Sequence, residues 1–384
     1  MLTSRINFIN FKVNSKTLYL KKKLNLLISE KNQIIKSLGK SYKNNFNKKK
    51  LNKFKKTLNY RVIGMGGSSL GAQAIYDFLK NKIKKNFIFI NNLQANQKID
   101  KKNNYTNLII SKSGNTTETI INSNIFIKKN DKNIFITEKK NSYLYLLAEK
   151  LKADIVHHNN YIGGRYSVLS EVGMLPAELM GLNPSKFKNL NLLIKNRAFL
   201  NALVKNVSSI LHFQKKKKFN SIIINYDEKS ESLFKWYQQL VAESLGKKKK
   251  GFLPVVSNMP KDNHSMMQLY LDGFENNFFT FFYVNEKKYQ KVNNIFTSSS
   301  LNYFKNEPVG KILFAQKKAT ENVFRKNKIP FRSFEIKQRD EKSLSELFCF
   351  FMLETILIGK ALNLNPYNQP AVELIKNETK NLLI

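Results

Sequence analysis

The sequence predicts an α/β protein of two doubly wound parallel-sheet domains, preceded by an N-terminal helical arm. Three observations carry that reading. Short apolar runs alternate with stretches of helical spacing. The alternation pauses near residue 160 and restarts near residue 220. Two turns, one rich in glycine and one in hydroxyls, each sit between a strand and a helix. Strands separated by helical patterns imply βαβ units and parallel sheets. The 384 residues suffice for two domains of roughly 100–200 residues each, and 42% hydrophobic content supports buried cores.

In chain order, residues 1–55 read as the arm, rich in Lys and Asn with Leu18, Leu20, Leu24, Leu26, Leu27 and Ile28 at helical spacing. The first domain is expected over 56–205. Its strands are 60–64, 87–90, 107–110, 133–137 and 154–156, with helices over 70–79, 118–129 and 142–151. A helical connection spans about 161–217. The second domain, 206–384, has strands at 221–225, 277–284 and 329–336. Its helices fall at 230–245, 309–327 and 343–362, followed by a proline-punctuated turn and a C-terminal helix.

The formal net charge of +39 raises nucleic acid as a partner. Its form argues against a specific one. The cations are overwhelmingly lysine, scattered from Lys12 to Lys380, whereas arginine suits bidentate contacts with guanine or phosphate. Lysine, asparagine, isoleucine and phenylalanine share A/T-rich codons, so base bias accounts for the pattern, and only salt-sensitive adhesion to polyanions is expected. The apolar stretch 347–359 contains Glu354 and is too short to span a bilayer, so it reads as a buried helix. Residues 1–11 show no signal-peptide pattern, and a cytoplasmic protein without a membrane partner is expected. Cys349, the one cysteine, sits in that apolar stretch as an inert core residue.

The chemistry-bearing segments begin with residues 111–119 (SKSGNTTET), which place five hydroxyls and one glycine between a strand and a helix. Free N–H groups at a helix N-terminus attract anions and the hydroxyls add donors, so a phosphate is expected here; an elaborate N-cap would use the same residues. Residues 64–71 (GMGGSSLG) follow a strand and open a helix. Ser69 stands where a dinucleotide fingerprint needs its third glycine, and Asn91 and Asn92 replace the expected acid, so NAD is disfavoured. A tight turn without ligand would also use these glycines.

Arg165 follows two glycines in 163–170 (GGRYSVLS), where it can stabilise developing negative charge or serve a structural ion pair. Glu243 lies near the end of a helix, where the dipole disfavours a carboxylate; that marks it as a site candidate, a solvated surface glutamate being the alternative. His264, one of four histidines, suits proton transfer near neutral pH. The histidine spacing suggests no zinc site.

Taken in order, GMGGSSLG, SKSGNTTET, GGRYSVLSEVG, QQLVAESLGK, HSMMQ and NPYNQPAVE resemble the phosphoglucose isomerase family over about residues 60–376. The resemblance implies two sugar-isomerase-type domains and reversible isomerisation of glucose 6-phosphate and fructose 6-phosphate, in glycolysis and gluconeogenesis. It implies that Ser111, Ser113, Thr116 and Thr119 hold the sugar phosphate, with Gly67 and Ser68 contributing. Glu243 would move a proton between C2 and C1 through a cis-enediol(ate), and Arg165 would stabilise that intermediate. His264 would assist ring opening with Lys376 close by, and Gln369 would contact substrate. The family's histidine comes from a neighbouring subunit, which implies a homodimer with shared active sites.

No metal or organic cofactor is required by that chemistry. A proton alpha to a carbonyl needs a positioned base and a stabilised enediolate, and partial desolvation would raise the glutamate toward working pH. A relative that also accepts mannose 6-phosphate is the nearest alternative. A non-catalytic sugar-phosphate sensor would lack the base. Ala371 departs from the family's more frequent glycine, and the lysine run 247–250 is unusual beside Glu243.

Overall fold

The structure, a computed structural model, describes residues 1–13, 17–96, 103–128, 131–286, 288–293 and 299–383. Among them are ten strands: β1 (Ile6–Ile9), β2 (Asn59–Ile63), β3 (Asn86–Ile90), β4 (Thr106–Ile110), β5 (Lys132–Thr137), β6 (Asp154–His157), β7 (Asn220–Asn225), β8 (Leu253–Asn258), β9 (Asn277–Val284) and β10 (Phe331–Ile336). Lys129, the expected end of the helix after β4, lies outside the described residues.

The first sheet has the order β3-β2-β4-β5-β6, all parallel. In the second, β8-β7-β9-β10 repeats that order in parallel, and β1 closes the edge antiparallel to β10. The two sheets therefore share one 2-1-3-4 parallel order, completed at the fifth position by the parallel β6 in the first and by the antiparallel β1 in the second. Each has a switch point where successive connections leave in opposite directions, between β2 and β4 and between β7 and β9. Ligands of open α/β sheets bind outside the carboxyl ends of strands at such points.

Two strands depart from the sequence expectation. The first 55 residues supply helices Leu18–Ser29, Gln33–Ser37 and Lys48–Lys55, but they also supply β1. That strand pairs Ile6 with Ile336 and Phe8 with Phe334, across most of the chain length. β8 is the second, and it carries Pro254. Proline cannot donate to a ladder, which disfavours a central strand; β8 tolerates it because it lies at the sheet edge, paired only with β7.

β4 and β9 are buried along their whole length, as parallel strands covered on both faces should be. The helix Glu341–Ala361 is buried from Ser343 to Gly359, matching the buried helix expected from its apolar run. Its Glu354 carboxylate is answered by Arg332 and by the Tyr237 hydroxyl at 2.9 Å, so the buried charge is paired. Cys349 is buried on the same helix, and burial pushes its thiol up to about 12. Among the described residues, no helix is long and apolar enough to cross a membrane.

Candidate active site

The 111–119 loop leaves the buried end of β4, and β2 leaves beside it, because Ile63 is in register with Ile109. Within the loop, Ser111 Oγ lies 2.9 Å from Thr116 Oγ1 and accepts from the Gly114 N–H at 3.2 Å. Ser113 Oγ accepts from the Asn115 N–H at 3.2 Å. Gly114 has φ +68°, and a Cβ there would lie 2.0 Å from Ser142 Oγ, so the loop admits only glycine at this point.

Thr116 stands at the N-cap of the helix Thr117–Phe126, yet its hydroxyl makes no cap bond. Thr119 is buried, and its Oγ1 has no hydrogen-bond partner among the described residues. A missing cap costs about 1 kcal/mol, and a buried unpaired hydroxyl costs about 1–3 kcal/mol. An anion with several acceptor oxygens would answer both, since the helix N-terminus already favours negative charge.

The 64–69 turn lies between that loop and the rest of the site. Gly66, at φ +51°, faces Gln239, and a Cβ there would come 2.6 Å from Gln239 Nε2. Gly67 is packed so closely that a Cβ would lie 2.2 Å from the Gly164 carbonyl carbon and 2.5 Å from Arg165 N. Half-buried Ser68 follows, its N–H donating to Met65 O at 3.0 Å. The glycines thus bring the first sheet's switch point against the segment that carries Arg165 and the helix that carries Glu243.

Arg165 is 1% exposed, and all five of its guanidinium donors are used. Nε donates to Ser244 Oγ at 2.8 Å. Nη1 donates to Glu243 Oε2 at 3.0 Å and to Gln369 Oε1 at 2.8 Å. Nη2 donates to Pro366 O at 2.7 Å and Asn368 O at 3.1 Å. Trp236 Nε1 donates to the Arg165 carbonyl at 3.1 Å, fixing the backbone as well. One buried cation thereby joins the end of the helix Glu231–Leu245 to the 365–369 turn.

Glu243 is half-buried near the end of that helix, where the dipole opposes it and Arg165 compensates. Its second oxygen, Oε1, accepts from Gln239 Nε2 at 2.7 Å. Glu243, Lys247, Asn368, Gln369 and Ala371 line one open cavity of about 700 Å³, a volume suited to a small metabolite. Lys247, first of the lysine run, donates to Ser244 O at 2.9 Å and to Asn365 O at 2.7 Å. Burial and the nearby Arg165 push its amine down to about 8, with Glu243 partly opposing.

The structure thus brings Arg165, Glu243 and Gln369 together. No residue of the 111–119 loop lines the cavity beside Glu243; the 64–69 turn separates the two. His264 is exposed, beyond the carboxyl end of β8, and contacts none of the three. Lys376 pairs with Glu373 at 2.7 Å on the exposed C-terminal helix Ala371–Leu383 and does not line the cavity.

Gln239, Ser244, Tyr166 and Lys247 are site residues that sequence reasoning missed. Gln239 carries a readable signal, since it precedes Glu243 by four positions on one helix and so shares its face. Tyr166 Oη lies 2.7 Å from Ser244 Oγ and donates to Pro366 O at 3.0 Å, a convergence that no spacing reveals.

With this geometry in hand, comparison with known proteins is informative. A family model described as phosphoglucose isomerase matches residues 28–252. The glucose-6-phosphate isomerase of Methanocaldococcus jannaschii is 34% identical over 345 residues, covering 84% of each chain. A solved hypothetical protein from Thermus thermophilus has a TM-score of 0.82 at 20% identity, covering 95% of this chain and 94% of that one. A solved glucose-6-phosphate isomerase from Chlamydia trachomatis has a TM-score of 0.69 at 17% identity, covering 99% and 80%. These two likenesses concern the fold.

Proposed function

The chain belongs to the phosphoglucose isomerase family, and on that premise we propose that it interconverts glucose 6-phosphate and fructose 6-phosphate as an aldose–ketose isomerase. The observation that carries the reading within the structure is the convergence of Glu243 and Gln369 on one fully satisfied buried arginine beside a metabolite-sized cavity.

In this reading the 111–119 loop, with Gly67 and Ser68, anchors the phosphate. Ser113 and Thr116 donate to it, and the unpartnered Thr119 hydroxyl finds its acceptor. Anchoring there orients C1 and C2 at Glu243. The Glu243 carboxylate takes the proton from C2 of the open-chain aldose, and electrons flow to O1 to form the enediolate. Negative charge thereby passes from Glu243 to substrate. Arg165, already paired with Glu243, stabilises either location, so the step separates no charge across the site. A proton passes from O2 to O1, and Glu243, its proton by then partly exchanged with solvent, protonates C1 as the C2 carbonyl forms, giving the ketose.

Ring opening precedes this, and His264 serves it with Lys376 assisting. Because His264 is remote from Glu243 within one chain, it comes from a second copy, and the working unit is a homodimer with shared active sites. A cytoplasmic place in glycolysis and gluconeogenesis accords with that reaction.

A coupled assay on purified protein tests the function. Wild type converts each hexose phosphate into the other, and Glu243→Gln lowers kcat by about 10³-fold, within the range for removing a general base. Equal rates in the two would remove Glu243 from the role.

A further inference from the structure

A second cavity, of about 600 Å³, shares no lining residue with the first. Lys40, Lys48, Lys186, Lys188 and Lys342 line it together with Tyr42, Phe46, Pro184 and Asn189. Among the described residues, no carboxylate lines it. The acids behind its wall are shared out: Glu178 pairs with both Lys48 and Lys55, and Glu341 with both Lys82 and Lys186.

Surface lysines alone would mean little in so basic a chain. Lys188 is different, being 5% exposed. Its ammonium donates to Ser37 O at 2.7 Å and to Leu169 O, and lies 4.8 Å over the Tyr42 ring. It has no carboxylate within ion-pair distance among the described residues; Glu171, bonded to the Tyr42 hydroxyl at 2.8 Å and the Asn159 N–H at 2.6 Å, offsets its charge only from further off. A buried cation without a counter-charge is costly, and base bias has no reason to place one in a core. Burial pushes the amine down to about 7.

We propose that this cavity is a second ligand site, separate from the isomerase cleft, that binds a small, multiply charged phosphate anion with Lys188 at its floor and Lys186 and Lys342 at its mouth. The concave shape selects a small molecule over a strand of nucleic acid. The apolar wall of Phe46, Pro184 and Tyr42 excludes water around the charges and strengthens them.

Titration calorimetry with inorganic tripolyphosphate tests the site, with glucose 6-phosphate at saturation to occupy the other cleft. One saturable event is expected. The pair Lys186→Glu and Lys342→Glu weakens it at least about tenfold, as for lost charge-assisted contacts. The pair Lys205→Glu and Lys326→Glu, exposed lysines outside the cavity, leaves it unchanged. Lys188→Met, checked for an intact melting transition, weakens it as well. No saturable binding, or equal loss in both lysine pairs, overturns the proposal; the second result would mean adhesion to overall charge. Displacement by an oligonucleotide tighter than tripolyphosphate overturns it in favour of a nucleic-acid surface.

Discussion

Both sheets share the 2-1-3-4 parallel order, and at their switch points they do opposite things. Beyond β2 and β4 lie a hydroxyl loop, an N-cap that does not cap and a buried Thr119 hydroxyl with nothing to bond. Beyond β7 and β9 the corresponding place is occupied from within. Arg339, which follows β10, pairs with Asp227 at 2.5 Å and Glu286 at 2.6 Å and donates to Phe78 O at 3.1 Å. The second switch point is a buttress that ties the two halves together. The first leaves the Thr119 hydroxyl without an internal partner among the described residues, at the place where we propose the phosphate binds. One strand order thus serves a proposed ligand site in one sheet and a structural clamp in the other.

If that contrast is right, damage at the two places separates. Arg339→Met strands two carboxylates and should cost about 3 kcal/mol of stability, as breaking a buried pair does. The variant's KM for hexose phosphate should stay at the wild-type value, measured below its melting transition. Replacing Ser113 and Thr116 together by Ala should do the reverse. Losing two charge-assisted donors should raise KM by about 10²-fold with unfolding midpoints nearly unchanged.

Thr119→Val is a sharper and smaller test. It should raise KM roughly tenfold, the worth of one hydrogen bond to a charged group, without lowering the melting temperature, since the hydroxyl it removes is unpaired in the free protein. A marked loss of stability would show that the hydroxyl has an internal partner.

Lys247 gives the smallest effect, and one of defined sign. Its folded value of about 8 lies below the ordinary 10.5, so between these pH values the unfolded chain holds a proton that the folded chain has released. This residue's contribution therefore makes stability rise with pH across that window. Denaturant midpoints of Lys247→Met should rise less over the same range.

Much of this was legible in the sequence, for identifiable reasons. Runs such as those of β4 and β7 are short, apolar and flanked by turns, so they read directly as parallel strands. β1 and β8 were not legible. β1 is only four residues long, with a partner strand more than three hundred residues away, and β8 is disguised by Pro254. The 111–119 loop was legible as a candidate phosphate site because its hydroxyls, glycine and helix start are contiguous. The Arg165 cluster was not: its partners come from residues 243–244 and 366–369, and only the family resemblance linked them before the fold did. His264 and Lys376 stand apart from the cluster in one chain, so the roles proposed for them rest on the family resemblance rather than on local pattern.

The central claim is that Glu243 carries a proton between C2 and C1. Isomerisation of fructose 6-phosphate in D₂O, read by NMR of the product, tests it most directly. The account predicts deuterium at C2 of the glucose 6-phosphate formed by wild type, and almost none from Glu243→Gln at equal enzyme and time. Turnover and incorporation by Glu243→Gln at the wild-type rate would contradict it.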